Sequence, residues 1–516
     1  MSRRLVFLAL MLLASCTARE KARLAPADPE VVQKISEADT LSRKGCFVAL
    51  KQAVYIYEGM YARPEYRKKI APKLAAAALL LAVREKELGM ANQTYMDTAL
   101  RVIKENRSLS GLTPYAEVAG LFWVQGKGVM RDIDERFPWK ETEDRLKKME
   151  PDLLVKAKSD EFAAYMYAVM KCYYAPAFGV SSFDKKDDLW QLVELFPYSL
   201  LLLYKRGICP EEKPELLKAL LAAEPEFYEA NYFLGNEALR RGNLLEAEGF
   251  FLKAHEAIPE SPQTTILLAG IYLATEELER SLEFSEKTLA LTPEYRDALL
   301  GKGICLSYLG RATEAIPVFE KIIAMGYWLL GESYYWLAWN QHELKDSSAA
   351  ASNIEQAKGR LPTSSEVFTL SGILAAERGD QAKAEKDFLE ALQYNPANSE
   401  ALFNLGGLYS QKEDWPNSGL YFEKAGFAYE NVGRSLEDGI AQVEKSALAP
   451  ERKDRLLKKR KSQLERTLLT RATAFYDAAA GYFNAGQKYK ALEMATRSAE
   501  HPAFKQKADE LASGIK

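Results

Sequence analysis

Residues 365–398 read SEVFTLSGILAAERGDQAKAEKDFLEALQYNPAN, and the same arrangement occurs six times between Tyr228 and Val432. Each unit has a small residue, a second small residue twelve places later, and four places further a residue that is most often phenylalanine. Successive units are 34 residues apart, with one step of 35 between the third and the fourth. The first small residues are Gly235, Ala269, Gly303, Ala338, Gly372 and Gly406. The second are Ala247, Ser281, Ala315, Ala350, Ala384 and Ser418, and the larger residues are Phe251, Ser285, Phe319, Ile354, Phe388 and Phe422.

This spacing predicts pairs of antiparallel helices. Small residues let two helix axes approach, and the residue four places on fills the gap between neighbouring layers. Proline near the end of the second helix prevents its continuation, as Pro259, Pro293, Pro362 and Pro396 do in four units. Because one hairpin cannot bury its apolar faces alone, each must stack on the next. We therefore predict an all-α array of stacked helical hairpins.

The pattern resembles the tetratricopeptide repeat (TPR) family. The resemblance covers the six units between residues 228 and 432, and it implies a solenoid that winds as a right-handed superhelix. It also implies a groove that binds protein partners and that needs no chemistry of its own. The subclass that clamps a C-terminal carboxylate with lysine and asparagine is not indicated, because Tyr232 stands where its first lysine would be, although Asn236 and Asn404 occupy asparagine-like places.

Length and charge limit the other possibilities. A chain of 516 residues is long for one compact domain, but a solenoid can be longer because each layer touches only its neighbours. The net charge of -3 is close to balance and gives no overall field that would select nucleic acid. We predict no nucleic-acid partner, and the oligomeric state is left open.

The first sixteen residues resemble the signal of bacterial lipoproteins. Arg3 and Arg4 precede an apolar run, residues 5–13, which is too short to span a membrane. The run ends in LASC, a lipobox whose last residue is Cys16. The resemblance implies removal of residues 1–15 and attachment of fatty acids such as palmitate to Cys16. Thr17 would then indicate the periplasmic face of the outer membrane in a Gram-negative cell. An ordinary secretory signal with an incidental cysteine is the alternative.

The rest of the chain divides around the repeats. We predict seven segments: a signal peptide (1–15), a tether (16–29), an irregular helical region (30–190), a transitional helical hairpin (191–227), six TPR units (228–432), a charged helical insertion (433–471), and a last TPR-like unit with a capping helix (472–516). The remaining cysteines, Cys46, Cys172, Cys209 and Cys305, are widely spaced in apolar helical contexts, so we predict buried thiols rather than disulfides.

The fourth unit is rich in aromatic residues, and the other first helices add apolar residues at the same helical positions. Tyr335, Trp336 and Trp339 lie where a TPR groove would be, but packing between layers would also explain them. The predicted partner-binding residues are Tyr335, Trp336, Trp339, Phe403, Ile373 and Ile304.

A basic run at residues 452–461 is most simply a solvated helix face, and anionic lipid headgroups are its alternative ligand. The three histidines, His255, His342 and His501, are isolated, and Gly128 stands where a phosphate-binding loop needs Ser or Thr. We therefore predict no catalytic residue, no metal and no cofactor.

The function predicted from the sequence is a non-catalytic, lipid-anchored TPR scaffold that binds protein partners in the bacterial cell envelope. The alternative is an envelope lipoprotein that carries or transforms a small molecule or glycan between the N-terminal helices and the repeats. Phe122, Trp123 and Trp139 would suit stacking against sugars in that case.

Overall fold

The computed structural model describes residues 28–88, 94–125, 139–173, 188–196, 199–208, 213–326, 330–446 and 448–515. In these ranges the regular structure is helical throughout and contains no strand, which confirms the predicted all-α class. The chain forms two compact units. The first holds the chain up to Glu277 and Lys287–Pro293, and the second holds Leu278–Glu286 and Glu294–Lys516. Signal peptide and tether, with Cys16, lie outside the described residues.

The first unit contains irregular helices followed by the first regular hairpin. Its helices are α1 (Pro29–Lys44), α2 (Phe47–Tyr61), α3 (Pro64–Glu87), α4 (Thr94–Glu105), a 3-10 helix (Arg107–Leu112), α5 (Thr113–Gln125), α6 (Trp139–Ala157), α7 (Glu161–Tyr173), α8 (Asp188–Leu195), α9 (Leu200–Ile208), α10 (Pro214–Ala223), α11 (Tyr228–Arg240), α12 (Leu244–Ala257) and α13 (Pro262–Ala274). The predicted transitional segment (191–227) contains most of α8 and all of α9 and α10.

The second unit contains regular hairpins and a long C-terminal pair. Its helices are α15 (Arg296–Tyr308), α16 (Ala312–Met325), α17 (Leu330–Glu343), α18 (Ser347–Arg360), α19 (Ser365–Glu377), α20 (Gln381–Tyr394), α21 (Ser399–Gln411), α22 (Trp415–Lys445), α23 (Pro450–Asn484), α24 (Lys488–Ser498) and α25 (Lys505–Ile515). The boundary between the units falls within α14 (Leu278–Leu291). No helix of the described residues is both long and apolar enough to cross a bilayer.

Local sequence signals start these helices. A side-chain oxygen just before a helix accepts a hydrogen bond from the backbone N–H three residues later, and losing such a cap typically costs about 1 kcal/mol. The residues that cap in this way include Ser261, Asp346, Ser364, Asp380, Asn398 and Asp414.

The turn inside each hairpin has one backbone conformation. A residue with φ between 58° and 78° ends the first helix of six hairpins, and the next N–H bonds the carbonyl five residues back. The turn residues are Gly242, Glu276, Gly310, Lys345, Gly379 and Glu413. Glycine adopts this conformation without strain, and the other side chains tolerate it at a cost of about 1 kcal/mol.

The two helices of a hairpin pack through complementary volumes. A Cβ built on Gly303 would lie 2.5 Å from the Phe319 ring, and Gly235, Gly372 and Gly406 face their phenylalanines at 2.6–2.8 Å. Two repeats have alanine in place of this glycine, and their residue sixteen places later is not phenylalanine. Ala338 is followed by Ile354, and Ala269 is followed by Ser285. The glycines are therefore required by close packing, because an additional methyl group would overlap an aromatic ring.

We expect Gly303→Ala to lower the free energy of unfolding by about 1–2 kcal/mol through overpacking. Adding Phe319→Ile should restore part of the loss, because the pair then matches Ala338 and Ile354 of the next hairpin. Thermal and urea unfolding followed by circular dichroism measure both variants. A fully additive double variant would contradict volume compensation within the hairpin.

The C-terminal pair, α22 and α23, differs from the sequence prediction. A separate charged insertion was predicted from residue 433 onward, but α22 continues through Gly433 to Lys445, and α23 covers 35 residues without interruption. The two helices approach closely at glycines: a Cβ on Gly481 would lie 2.8 Å from the backbone nitrogen of Gly419. Beyond that crossing, Ile440, Val443 and Leu456 are buried in an extended apolar seam. The apolar seam explains why no break is needed.

The core of the first unit contains a buried ion network made of Arg84, Glu87, Lys205 and Glu229. The four side chains are 0% exposed. Arg84 Nη1 lies 2.8 Å from Glu87 Oε2, Arg84 Nε lies 3.3 Å from Glu229 Oε1, and Lys205 Nζ lies 2.5 Å from Glu87 Oε1. These contacts join α3, α9 and α11.

Neighbouring groups complete the network. The guanidinium of Arg84 lies 3.8 Å from the centre of the Tyr204 ring, and the Tyr204 hydroxyl donates to Glu87 at 2.9 Å. The backbone N–H of Phe47, at the start of α2, donates to Glu229 at 2.9 Å. Four helices of the first unit therefore meet at charges that have no access to water.

Burial and charge pairing have different effects on the members of this network. Burial alone would raise the pKa of Glu87, but Lys205 and Arg84 outweigh it and hold the pKa below its ordinary value. At Glu229 burial dominates over the opposing effect of Arg84 and raises the pKa to about 7. Burial lowers the pKa of Lys205 to about 8, against the attraction of Glu87. Glu229 is thus the member that titrates near neutral pH.

Candidate functional site

The aromatic residues predicted in the fourth repeat, Tyr335, Trp336 and Trp339, form one continuous surface with Tyr308 of the third repeat. We call these four residues the aromatic face. The centroid of Trp336 lies 5.2 Å from that of Tyr308 on α15, and 5.3 Å from that of Tyr335 on its own helix, α17. Trp339 lies 6.4 Å from Tyr335 and 6.3 Å from Trp336. Edge-to-face geometry dominates these contacts, as is favourable for aromatic pairs.

The four rings differ in how much they also support packing. Trp336 stacks at 6.5 Å on Phe319, which is fully buried, so it serves the core as well as the surface. Tyr335 and Trp339 are half-buried and pack against the cluster that includes Val367. Tyr308 is 61% exposed. Packing is therefore strongest at Trp336 and exposure greatest at Tyr308, and partner binding by these aromatics stays a prediction.

Acidic residues lie close to the aromatic face. Burial raises the pKa of Tyr335, and the negative charges of Glu400 and Glu366 raise it further. Burial also raises the pKa of Glu400, against the opposing effect of His342, although the Glu400 side chain is accessible to water. Sequence reasoning missed Tyr308, Glu366 and Glu400.

The other predicted partner-binding residues are all half-buried. Phe403 on α21 packs against Phe422 at 5.2 Å and Tyr429 at 6.5 Å. Ile373 on α19 is partly buried against the cluster of Phe388. Ile304 on α15 is half-buried. No ring contact between described residues connects Phe403 to Trp339.

The asparagines at clamp-like positions bond their own helices. Asn236 donates to the carbonyl of Tyr232 at 2.9 Å, and Asn404 donates to the carbonyl of Glu400 at 2.8 Å. The ring of Tyr232, in place of the clamp lysine, stacks on Tyr228 at 6.1 Å. The first helix of this repeat therefore has an aromatic side chain at the position where the carboxylate-clamp subclass has a lysine.

The cysteines correct one prediction. Cys46 and Cys305 are buried thiols, as expected, and burial raises the pKa of Cys46 to about 12. Cys172, however, is disulfide-bonded, so the prediction of free thiols throughout is wrong at this position. Cys209 lies outside the described residues. The spacing of cysteines along the chain contains no pairing information when helices bring distant residues together.

The remaining predictions concern metal binding, the basic run at residues 452–461 and the aromatic residues Phe122, Trp123 and Trp139. No group of three or more His, Cys, Asp or Glu in the described part of the chain is arranged to hold a metal ion. His342 Nε2 instead lies 2.9 Å from Glu377. In the basic run, Arg460 donates to the carbonyl of Gly439 at 2.5 Å and Lys461 lies 3.7 Å from Glu444, so part of it serves the α22–α23 pair. The side chains of Phe122, Trp123 and Trp139 lie outside the described set.

A groove of about 540 Å³ lies in the first unit, between the N-terminal helices and the end of α12. Its lining includes Val48, Tyr55, Tyr95 and Ile258 together with Lys51, whose ammonium group lies 3.4 Å from Glu260. This is the part of the fold that the alternative ligand-carrying function requires, and Glu37 and Glu58 also line it.

Comparison with known proteins finds helical repeats. A family model of tetratricopeptide repeats matches residues 215–262 and 369–431. The chain is 27% identical over 176 residues to the human protein O-mannosyl-transferase TMTC1 and 24% identical over 185 residues to human tetratricopeptide repeat protein 6. These matches cover 33% and 29% of this chain, and 19% and 35% of the respective human proteins.

Solved structures with helical repeats are also similar. A tetratricopeptide repeat protein from Parabacteroides merdae is 18% identical, with a TM-score of 0.35 over 54% of this chain and 98% of that one. PilF from Pseudomonas aeruginosa is 21% identical, with a TM-score of 0.34 over 38% of this chain and 88% of that one. The 34-residue period, the stacked hairpins and the family match together identify tetratricopeptide repeats in this all-α chain.

Proposed function

We propose that this protein is a non-catalytic scaffold of the bacterial cell envelope, anchored by lipid at Cys16, that binds a protein partner through the aromatic face. The observation that carries the proposal is the accessible cluster of rings on the first helices of the third and fourth repeats. Tetratricopeptide repeats generally act as interaction scaffolds, and the aromatic face is the part of this array best suited to that task.

Aromatic side chains suit partner binding for a physical reason. They bury a large area on contact and lose little conformational entropy, because each ring has only two rotatable bonds. The half-buried state of Tyr335 and Trp339 adds to this effect, since rings already held by packing lose still less freedom. A partner segment would therefore find a preorganised surface.

Two features support the envelope location. The lipobox ending at Cys16 predicts export and acylation. The disulfide bond of Cys172 supports export independently, because disulfides persist mainly in oxidising compartments outside the cytoplasm. The repeats would then lie beside the membrane, within reach of other envelope proteins.

The test is affinity capture after crosslinking in whole cells, followed by detergent extraction of the envelope. We expect Tyr308→Ser with Trp339→Ala to reduce capture of the partner at least tenfold, a loss typical of two hot-spot residues. This pair leaves Trp336 in place, because Trp336 also packs on Phe319. Tyr489→Ala is the matched control, since Tyr489 is an 83% exposed aromatic on α24.

Unchanged circular dichroism and Tm of the double variant would show that it is folded. Equal capture by the double variant and the wild type would then refute binding through the aromatic face. The same experiment tests the anchor, because Cys16→Ser should move the protein from the detergent-extracted membrane fraction to the soluble fraction. Retention of that variant in the membrane fraction would refute anchoring through Cys16.

A further inference from the structure

In three consecutive hairpins of the second unit, the first helix and the second helix carry different kinds of charge. The helices α17, α19 and α21 contain no lysine or arginine, and they carry five glutamates: Glu332, Glu343, Glu366, Glu377 and Glu400. The second helices that follow two of them, α18 and α20, contain Lys358, Arg360, Lys383 and Lys386. In these hairpins, lysine and arginine are therefore absent from the first helices but present in the second helices.

Three of the four acids on α18 and α20 are paired within the protein. Glu355 lies 2.7 Å from Lys383, Asp387 lies 2.6 Å from Lys358, and Glu385 pairs with Lys412. By contrast, no ion pair between described residues involves Glu332, Glu366 or Glu400. Glu332 Oε2 is shielded from water and has no hydrogen-bond partner in the described part of the chain. Glu332, Glu366 and Glu400 therefore have no ion-pair partner among the described residues, although Glu366 accepts a hydrogen bond from Ser364, and Glu377 of the same layer lies 2.9 Å from His342.

Helix capping explains only part of this distribution. Glutamates in a first turn interact favourably with the helix dipole, which applies to Glu332, Glu366 and Glu400. In the last turn the dipole favours cations, yet α17 and α19 end in Glu343 and Glu377. The cation that follows α19, Arg378, donates to the carbonyl of Leu374. A dipole effect alone would not place glutamate at both ends of α17 and α19.

The unpaired acids lie beside the aromatic face. Tyr335 packs against the cluster that contains Val367, the residue next to Glu366 on α19, and the negative charges of Glu400 and Glu366 add to the effect of burial in raising the pKa of Tyr335. A basic group close to them, His342, lies 2.9 Å from Glu377 and opposes the rise that burial causes in the pKa of Glu400. Aromatic faces attract ammonium and guanidinium groups, and carboxylates pair with them. The two features therefore select the same kind of ligand.

We propose that the partner segment bound by the aromatic face is an extended cationic stretch of polypeptide, in which arginine or lysine side chains lie over Tyr335 and Trp339 and pair with Glu366 and Glu400. This inference rests on the proposed function, of which it names the partner chemistry. Charge complementarity also gives a kinetic advantage, because the one-sign surface attracts a cationic segment before contact.

The test is fluorescence anisotropy with the soluble Cys16→Ser protein and a fluorescein-labelled hexa-arginine peptide at low salt. We expect binding that weakens with salt, no binding of labelled hexaglutamate, and about tenfold weaker hexa-arginine binding after Glu366→Gln with Glu400→Gln. Glu355→Gln with Glu385→Gln is the matched control, since it removes two carboxylates from the second helices. Trp339→Leu should weaken hexa-arginine binding by about threefold to tenfold, because leucine is also apolar but lacks the aromatic ring that attracts a cation.

The possible outcomes separate this inference from the function on which it rests. The cationic ligand would be overturned if Glu355→Gln with Glu385→Gln weakened hexa-arginine binding as much as Glu366→Gln with Glu400→Gln does. Stronger binding of hexaglutamate than of hexa-arginine would also overturn it. Reduced partner capture by Tyr308→Ser with Trp339→Ala, together with normal capture by Glu366→Gln with Glu400→Gln, would also overturn it and leave the proposed function intact. Normal capture by both variants would overturn both proposals.

Discussion

Replacing Arg84 by methionine is expected to lower the free energy of unfolding of the first unit by about 3–5 kcal/mol. Methionine retains the apolar part of the side chain but removes the guanidinium that contacts Glu87 and Glu229 and lies over the Tyr204 ring. Glu229 then loses its ion pair with Arg84, and Glu87 loses the same partner while it keeps Lys205. A buried charge without compensation costs far more than an exposed one.

Hydrogen exchange of the amides in α3 and α9 would measure this loss within the first unit, alongside urea unfolding. Arg101→Met is the matched control, because Arg101 forms an exposed pair with Glu58 at 3.8 Å and should change stability by less than about 1 kcal/mol. Adding Glu87→Gln and Glu229→Gln to Arg84→Met should recover part of the loss by removing the unpaired charges. An Arg84→Met variant as stable as Arg101→Met would contradict a structural role of the buried ion network.

The second large effect is a loss of stability as pH rises from 5 to 7.5, of about 2 kcal/mol from Glu229 alone. The pKa of Glu229 is about 7 in the fold, against an ordinary value of 4.5, so the folded chain binds a proton that the unfolded chain has released. This stabilisation is complete below pH 4.5 and disappears as the pH passes 7. Lys205, whose pKa is about 8, stays mostly protonated in this window.

Urea unfolding at several pH values, for the wild type and Glu229→Gln, isolates this contribution. The variant should lack the pH dependence of Glu229, because glutamine can accept the Phe47 N–H as the protonated acid does. Asp477, with a pKa raised by burial to about 6, contributes in the same direction to both proteins and cancels in the comparison. Identical pH profiles for the two proteins would contradict titration of Glu229 in the fold.

Part of the candidate site was legible in the sequence. Tyr335, Trp336 and Trp339 were found because aromatic residues crowd one helix at positions that face away from the hairpin partner. Phe403 was chosen by the same positional rule, yet it packs against Phe422 and Tyr429. Position within a repeat indicates the direction of a side chain, but not how closely the next layer covers it.

One feature of the candidate site that was not predicted, its uneven distribution of charge, is visible in the sequence alone. The absence of lysine and arginine from residues 330–343, 365–377 and 399–411 can be read directly once the helices of the repeats are assigned. Its meaning depends on the pairing of acids in the other layer, such as Glu355 with Lys383. That pairing joins α18 to α20, so only the tertiary structure shows which acids are already neutralised.

The sequence by itself determined the all-α class, the hairpin period and the places of close packing, because a repeated spacing of small and large residues allows one way of burying helix faces. It also determined the glycine and phenylalanine pairs, such as Gly303 with Phe319. Tertiary structure alone decided the buried ion network, in which Arg84 and Glu229 are distant in sequence. It also decided the disulfide of Cys172 and the continuity of α22 through Gly433. These features depend on contacts between segments that share no period, and local sequence patterns carry no information about such contacts.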